Sequence, residues 1–591
     1  MTSNVYDIII IGGGTAGCVL ASRLSEKQEL QVLVIEAGDD LTDDPRANHP
    51  LMGPRLLTSD ANWGFTTTPQ KLGGREMIAP AGRLLGGSSA VNGFAFLPNS
   101  KASIDAWAEL GNPGWEWASF SKSMSRFHLS ESTQEEGQSP LQITIPKEET
   151  QWPRVWRETL SNLGFPVCSD PFSGKLLGSV IGPETIGSDK KRSFAANAYL
   201  DHGTRSRSNL TVWTGTFVEK ILTKISETVT ATGVQYSNAK TGVTGTVHAR
   251  KEVILSAGAI NTPRLLEASG FGNKKLLNGL GIDVMVDNPH IGENLQNHPM
   301  FTVTYEAVDQ EGFNTIDDLL RRDPVAIAEA QKAYDNEKAG PASQSNLNVL
   351  AQLPIPDTAE LRHAIDTCIP SRPGGTVNSL AMAHESFIRS HLTSPSEASG
   401  CYMTAPGYIC FGGDKSVLPP PPGSEKYFTI SAHLGHPLSR GSVHITSALP
   451  PKSSKGVSID PNLFGHPLDL EVLARHVQLA ERIAMTKPLS DHLKLDGKRG
   501  LGMPEFGEFL DLQKAKDYLL STAVGAHHWL GSCAMMPREM GGVVGPSLRV
   551  YGCPNLRVCD ASIMPIAPRS NPQGVIYAIA EHAAQIIMTD M

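Results

Sequence analysis

The stretch Tyr6-Asp-Ile-Ile-Ile-Ile-Gly-Gly-Gly-Thr-Ala-Gly17 runs from an apolar strand directly into a glycine turn. The spacing Gly12-x-Gly14-x-x-Gly17 is typical of a dinucleotide-binding turn. Gly12 allows the tight turn, Gly14 lets the backbone approach a pyrophosphate, and Gly17 lets a helix pack closely on the strand. The stretch therefore predicts that the fold begins with a nucleotide-binding βαβ unit.

The residues after the glycine turn complete this pattern. A helix is predicted over residues 18–26, and a second apolar strand, residues 31–35, ends at Glu36. The helix N-terminus can hold phosphates with free N–H groups, and Glu36 can accept hydrogen bonds from ribose hydroxyls. An acid at this place disfavours a 2′-phosphate, so FAD or NAD is the expected ligand.

Length and charge limit the possible functions. The chain has 591 residues, a length that predicts more than one substructure, and its formal net charge is −9. The negative charge and the absence of a long Lys/Arg run argue against nucleic acid or an anionic membrane surface as a partner. No stretch approaches about 18 uninterrupted apolar residues. The first strand begins by Val5, which leaves no room for a signal peptide and predicts a cytoplasmic protein.

The eight cysteines are scattered along the chain. They form no CxxC pair and no Cys/His spacing that would hold a metal, so neither a metal site nor a disulfide framework is expected.

A second glycine-rich segment spans Ala79 to Phe96, where four glycines and two serines lie among apolar residues. Such a segment suits close contact between the backbone and a ligand. Its centre, Gly82-Arg-Leu-Leu-Gly-Gly-Ser-Ser-Ala-Val-Asn92, resembles the first signature of the glucose/methanol/choline (GMC) flavin oxidoreductases. The resemblance continues, in order and spacing, in residues 256–272, 291–299, 528–533 and 550–565.

The resemblance implies an α/β fold of two domains. The FAD-binding, Rossmann-like domain would comprise residues 1–155, 206–300 and 526–591. A substrate-binding domain would comprise residues 156–205 and 301–525, built on an antiparallel sheet flanked by helices. Strand-like runs at 427–433 and 442–445 and a helical run at 468–485 agree with this plan.

The resemblance also implies which residues contact FAD. Val218, as the last residue of a strand, would meet adenine, and Asp560 would orient the ribityl and pyrophosphate region, although it also suits a helix or turn cap. Asn92 would lie near the reactive edge of the isoalloxazine. Val91 stands where some relatives carry a histidine bonded to the flavin, so non-covalent FAD is expected. The expected contacts are Gly12, Gly14, Thr15, Ala16, Gly17, Glu36, Ala37, Arg83, Gly87, Ser88, Asn92, Gly93, Ala95, Val218, Asp560, Ala561, Pro572 and Gln573.

The segment His528-Trp-Leu-Gly-Ser-Cys533 resembles the family motif that carries the catalytic base. The resemblance implies that His528 takes the hydroxyl proton of an alcohol as hydride leaves for flavin N5. Asn571 would hold the substrate oxygen by donating to it. A helix predicted from Pro572 to Ile587 would point its N-terminus at the flavin and stabilise the reduced ring.

Three other histidines need an assignment. His527 is expected to face away from its neighbour His528, as alternate residues of an extended chain do. His298 and His436, each followed by proline, are expected to be structural.

These features predict an enzyme that oxidises a small-molecule alcohol to an aldehyde or ketone, with dioxygen or another acceptor taking the electrons. The expected setting is intracellular secondary or alcohol metabolism. The alternative is a relative that keeps FAD without oxidising alcohols, such as a hydroxynitrile lyase or a fatty-acid photodecarboxylase. Flavin bleaching by substrate without oxygen would separate the two. The sequence indicates neither the substrate nor the oligomeric state.

Overall fold

A computed structural model describes residues 4–591 except 98, 128–139, 147–149, 348, 370–378 and 412–416. The described strands are β1 (Val5–Ile11), β2 (Val32–Ile35), β3 (Phe65–Thr66), β4 (Ile78–Ala79), β5 (Gly178–Ile181), β6 (Leu210–Trp213), β7 (Thr216–Ile225), β8 (Val229–Asn238), β9 (Thr244–Leu255), β10 (Phe271–Gly272), β11 (Val286–Asp287), β12 (Pro299–Ala307), β13 (Val349–Leu353), β14 (Gly400–Ala405), β15 (Cys410–Phe411), β16 (Val417–Leu418), β17 (Lys426–Leu434), β18 (Ser442–Ile445), β19 (Val457–Asp460), β20 (Val524–Gly525) and β21 (Leu556–Val558).

Helices connect and cover these strands. The described α-helices are α1 (Thr15–Leu24), α2 (Pro45–Asn48), α3 (Pro54–Leu57), α4 (Lys101–Glu109), α5 (Trp117–Met124), α6 (Trp152–Asn162), α7 (Ala195–Tyr199), α8 (His202–Arg205), α9 (Gly258–Ala268), α10 (Lys274–Gly279), α11 (Asp317–Leu320), α12 (Pro324–Glu337), α13 (Ala359–Cys368), α14 (Leu380–Leu392), α15 (Pro467–Ala484), α16 (Leu512–Thr522) and α17 (Gln573–Asp590).

The first sheet is built around the N-terminal strand. Parallel strands run in the order β6-β2-β1-β9, with β21 also parallel to β9, while β8 and β7 extend the sheet antiparallel. The residues Ile8 to Ile11 and the whole of β2 are buried, as expected for parallel strands covered on both faces. Helix α1 packs against β1 and β2, and α17 packs on α1. The predicted α/β architecture is confirmed.

The glycine turn shows why glycine is needed at two positions. A Cβ on Gly12, whose φ is +99°, would lie 2.4 Å from the carbonyl oxygen of Ser256. A Cβ on Gly17 would lie 1.9 Å from the carbonyl oxygen of Gly12. Both distances are far below a van der Waals contact, so any side chain here would push α1 or β9 away from β1.

The second sheet is antiparallel, in the order β20-β12-β17-β14-β13-β5. One face buries Val303, Tyr402 and Ile430 in an apolar core that includes residues of α6, α15 and α16. The predicted antiparallel sheet flanked by helices is therefore confirmed. The predicted strand 442–445 forms with the expected bounds as β18, but it pairs with β19 in a separate hairpin.

The segment that leads to Val218 differs from its prediction. It forms two strands, β6 and β7, because the chain turns at Gly215, whose φ is +59°. Val218 is therefore the third residue of β7, paired with Tyr236, and does not end a strand.

Two further observations concern the whole chain. Residues 194–196 and 199–200, which the sequence analysis assigns to the substrate-binding domain, belong to the core around the first sheet. The predicted domain boundaries stay a prediction. Of the helices in the described ranges, none is both long enough and apolar enough to cross a membrane.

Candidate active site

A cavity of about 490 Å³ lies where the parallel strands of the first sheet end. The residues that follow four neighbouring strands line it, namely Gly12 after β1, Glu36 after β2, Ser256 after β9 and Asp560 after β21. Ligands of open α/β sheets bind at the carboxyl ends of the strands. The volume lies within the range of about 300–1,000 Å³ that is usual for small-molecule sites.

The cavity collects nearly all the residues that the sequence predicts. Every predicted cofactor contact lines it except Gly17 and Arg83, and both His528 and Asn571 line it as well. Gly17 packs α1 on β1 instead. Arg83 donates from Nε to the Asp60 carbonyl oxygen at 2.8 Å, and its guanidinium lies over the ring of Trp63. The contacts of each residue with FAD stay a prediction.

Glu36 has a structural partner for each carboxylate oxygen. The N–H of Gly13 donates to Oε2 and the N–H of Gly38 donates to Oε1, both at 2.8 Å. Burial raises the pKa of Glu36 to about 7, although these hydrogen bonds favour the charged form. A carboxylate oxygen can accept more than one hydrogen bond, so Glu36 can also receive a ribose hydroxyl.

Asp560 caps a helix and also faces the cavity. Its Oδ2 accepts from the N–H of Gly258 at 2.9 Å and from the Thr262 hydroxyl at 2.6 Å, at the start of α9. Its Oδ1 accepts from the N–H of Ser562 at 2.8 Å. The cap that the sequence analysis considered is therefore present, at a residue that lines the cavity.

Two helix N-termini open on the cavity without a side-chain cap. These belong to α1, which begins after Gly14, and α17, which begins after Pro572. The first N–H groups of a helix have no partner within the helix, and they favour negative charge. One terminus therefore suits a pyrophosphate, and the other suits an electron-rich ring.

Buried polar atoms at the cavity also point to a ligand. Among the described residues, Asn571 Oδ1 and Trp529 Nε1 are buried without a hydrogen-bond partner, and both residues line the cavity. Buried polar groups normally have partners, so these two atoms indicate a missing group. With the glycine turn, the acid at the end of β2 and the open helix termini, the residues present fit FAD.

His528 is fixed by a chain of hydrogen bonds. His298 Nε2 lies 2.8 Å from the carbonyl oxygen of Pro568, and His298 Nδ1 lies 2.8 Å from His528 Nδ1. A carbonyl only accepts, so His298 Nε2 carries a proton. Burial lowers the pKa of His298 to about 4, so at neutral pH its Nδ1 has no proton and must accept. His528 therefore donates from Nδ1, and its Nε2 carries no proton.

The other nitrogen of His528 meets the second predicted residue. Asn571 Nδ2 lies 3.2 Å from His528 Nε2, which agrees with an amide that donates to this nitrogen. Burial, together with the nearby His298, His433 and His527, holds the pKa of His528 well below its ordinary value. His528 is therefore neutral at pH 7 and can accept a proton at Nε2.

The prediction that His527 faces away from His528 is wrong. His527 has a φ of +60°, so the chain bends there and the alternation of an extended strand is lost. As a result His527 and His528 both line the cavity. His298 is buried and does not line the cavity, in agreement with the predicted structural role, and its contact with His528 sets the tautomer of His528. His436 contacts Ser103 and the Ala567 carbonyl, also in agreement with a structural residue.

Sequence reasoning missed several lining residues. Trp63 and Phe217 line the cavity, and their rings meet edge to face with centroids 6.0 Å apart. Leu347 and Met403 come from the second domain. These residues belong to no glycine-rich or histidine motif, so no local signal distinguishes them from ordinary apolar residues.

Strand register explains how Met403 reaches the site. Met403 pairs with Ser431 and Cys401 pairs with His433, so these four residues share one face of the antiparallel sheet. The ring of His433 lies 5.4 Å, between centroids, from that of His528. The face of the antiparallel sheet that carries Met403 is therefore the face that lies toward His528.

Comparison with known proteins agrees with this geometry. A family model described as GMC oxidoreductase matches residues 6–300, and a second with the same description matches residues 437–580. GMC oxidoreductase family protein Mala s 12 of Malassezia sympodialis is 33% identical, over 99% of this chain and 92% of its own length. Dehydrogenase mpl7 of Monascus purpureus is 32% identical, over 99% of this chain and 96% of its own.

A solved structure shows the same fold. An FAD-dependent oxidoreductase from Chaetomium thermophilum superposes with a TM-score of 0.85 at 27% identity, over 99% of both chains. The family models, which together span more than half of the chain, and the full-length relatives lead to one conclusion. The chain belongs to the GMC family of FAD-dependent oxidoreductases.

Proposed function

We propose that this protein oxidises an uncharged, largely apolar alcohol to an aldehyde or ketone. The observation that carries the proposal is the unprotonated Nε2 of neutral His528, held beside Asn571 in the cavity. When bound, FAD supplies a hydride acceptor at N5. Dioxygen or another acceptor then takes the two electrons, and the relative from Monascus purpureus is itself named a dehydrogenase.

Two side chains divide the work on the substrate hydroxyl. His528 Nε2 accepts the hydroxyl proton as the carbinol carbon loses hydride, and a neutral imidazole suits this task. When substrate binds, its hydroxyl takes the place of the Asn571 N–H at His528 Nε2, and the Asn571 amide is then able to donate to the substrate oxygen. That donation stabilises the negative charge that develops on the oxygen.

The lining supports an uncharged substrate. Among the described lining residues, the charged side chains are Glu36 and Asp560, and both already accept hydrogen bonds from backbone N–H groups. No lysine or arginine is among them. Phe94, Leu347 and Met403 supply apolar surface, so a substrate carboxylate would lack a partner, whereas a ring or alkyl chain would find one.

The first prediction tests the base. His528→Ala is expected to slow reduction of bound FAD by an alcohol about 10²–10⁴-fold, the usual contribution of a positioned general base. The matched control is His527→Ala, which removes the adjacent imidazole and is expected to cost far less. Stopped-flow reduction without oxygen, after FAD content has been equalised, gives the comparison.

Two outcomes would contradict this assignment. If His527→Ala is the slow variant and His528→Ala resembles the parent, the base is the neighbouring histidine. If no alcohol bleaches the flavin of the parent enzyme, the lyase or photodecarboxylase alternative replaces alcohol oxidation.

The second prediction concerns the hydrogen bond between the two histidines. His298→Leu removes the acceptor of the His528 Nδ1 proton and is expected to slow flavin reduction about 10–100-fold through loss of orientation. His298→Asn, whose amide oxygen can accept in place of Nδ1, should recover part of the rate. Equal rates in the parent and His298→Leu, at equal FAD content, would show that His298 does not orient the base.

The third prediction tests substrate polarity with two alcohols of nearly the same shape. We expect kcat/KM for 4-methylbenzyl alcohol to exceed that for 4-carboxybenzyl alcohol by at least about 100-fold, since an unpaired buried carboxylate costs several kcal/mol. Steady-state kinetics with both alcohols measure the ratio. A ratio near or below one would contradict the proposal of an uncharged substrate.

The fourth prediction concerns attachment of the cofactor. Val91 lines the cavity, and a valine side chain cannot form a covalent bond to the flavin. We therefore expect acid precipitation of the yellow protein to release FAD into the supernatant, where its absorbance is measured. Colour that stays with the precipitated chain would show covalent attachment through another residue.

A further inference from the structure

Arg192 is buried behind the candidate active site without an acidic partner. It is 1% exposed, and among the described residues no carboxylate forms an ion pair with it. Two comparably buried arginines differ in this respect, since Arg557 pairs with Glu252 and Arg569 pairs with Glu397. Burial of an unpaired charge is costly, so such a residue needs an explanation.

The contacts of Arg192 lead to the cavity. Its Nη1 donates to Asn92 Oδ1 at 2.9 Å and to the Ser89 carbonyl oxygen at 3.3 Å. Its guanidinium lies over the ring of Phe94, 3.6 Å from the centroid. Asn92 and Phe94 both line the cavity, whereas Arg192 itself does not. Arg192 thus acts on the cavity through these two residues and is not available to a substrate.

The hydrogen bond from Arg192 decides how the Asn92 amide points. A guanidinium has only donors, so the amide oxygen must face it, and the N–H of Phe94 donates to the same oxygen at 3.1 Å. The amide nitrogen then donates to Gln573 Oε1 at 2.6 Å. One N–H of Asn92 is left for a ligand in the cavity. The Gln573 amide is itself oriented, because its Nε2 donates to the Thr185 hydroxyl oxygen at 3.3 Å.

Arg192 also keeps its charge at neutral pH. Burial lowers its pKa to about 9, which still leaves the guanidinium protonated at pH 7. Because no described carboxylate neutralises it, and because the protein interior screens charge weakly, its field extends to nearby groups.

We propose that Arg192 is a positioning residue for the flavin of this enzyme. It fixes Asn92 as a hydrogen-bond donor toward the cavity and supplies an unpaired positive charge that stabilises the electron-rich reduced ring. The inference rests on the FAD cofactor of the family and does not depend on which alcohol is oxidised.

The test is the midpoint potential of bound FAD in three variants. Arg192→Gln removes the charge but keeps an amide that can donate to Asn92, and Arg192→Lys keeps the charge but loses the planar fork. Arg264→Gln is the matched control. Arg264 is buried and donates to the carbonyl oxygens of Ser453 and Lys455, with no ion pair to a described carboxylate. Its contact with a lining residue, from Nη1 to Asn261 Oδ1, is long at 3.5 Å, whereas Arg192 donates to Asn92 at 2.9 Å.

Each protein is reduced slowly by a chemical or enzymatic reductant beside a reference dye, after FAD content has been measured. We expect Arg192→Gln to lower the ratio of reduced to oxidised FAD about tenfold at a given potential. This corresponds to a midpoint potential that is lower by about 30 mV for a two-electron couple. Arg192→Lys should stay within about threefold of the parent, or about 15 mV on the same scale. Arg264→Gln should not differ from the parent.

An unchanged potential in Arg192→Gln, or an equal shift in Arg264→Gln, would overturn the proposal. If Arg192→Gln does not retain FAD, Arg192→Lys decides: a potential near that of the parent supports the proposal, and one near that of free FAD overturns it. Because no alcohol is used, this result is independent of whether the enzyme oxidises alcohols.

Discussion

The parallel pairing of β1 with β2 and β9 is the constraint on which the candidate site depends. It brings the ends of β1, β2, β9 and β21 to one edge of the sheet, and the residues after each strand line the cavity. Gly12 permits the close approach of β1 and β9, and Gly17 permits the close approach of α1 and β1, because a Cβ at either position would meet a carbonyl oxygen.

The two buried acids at this edge hold the fold and the site together. Glu36 accepts from the N–H groups of Gly13 and Gly38, and Asp560 accepts from the N–H of Gly258 at the start of α9. Each carboxylate therefore stabilises the loops around the cavity while it faces the cavity itself. A site of this kind is formed by the same contacts that close the fold, so it is largely present before any ligand binds.

The proposed base, His528, depends on contacts that both sheets provide. His298 directly precedes β12, and His528 follows β20, at one edge of the antiparallel sheet, whereas Asn571 directly precedes the helical turn into α17 beside the first sheet. The Pro568 carbonyl, which only accepts, fixes the proton of His298 and thereby that of His528. Burial lowers the pKa of His298 and of His528, so both imidazoles are neutral at pH 7. The contacts where the two sheets meet therefore decide which nitrogen of His528 lacks a proton. Arg192 contacts a different lining residue, Asn92.

The sequence by itself determined the nucleotide-binding unit and the antiparallel second domain, and it predicted His528 and Asn571 as partners in one site. These follow from local spacing, such as Gly12-x-Gly14-x-x-Gly17, or from family motifs that are contiguous in the chain. The domain boundaries, the non-covalent cofactor and the cytoplasmic location stay predictions. Only the tertiary structure decided that His527 lines the cavity, that His298 orients His528 and that Val218 lies within a strand. The reason is physical: a left-handed φ, a hydrogen bond across 230 residues and a strand register are set by packing between distant segments, and no local pattern encodes them.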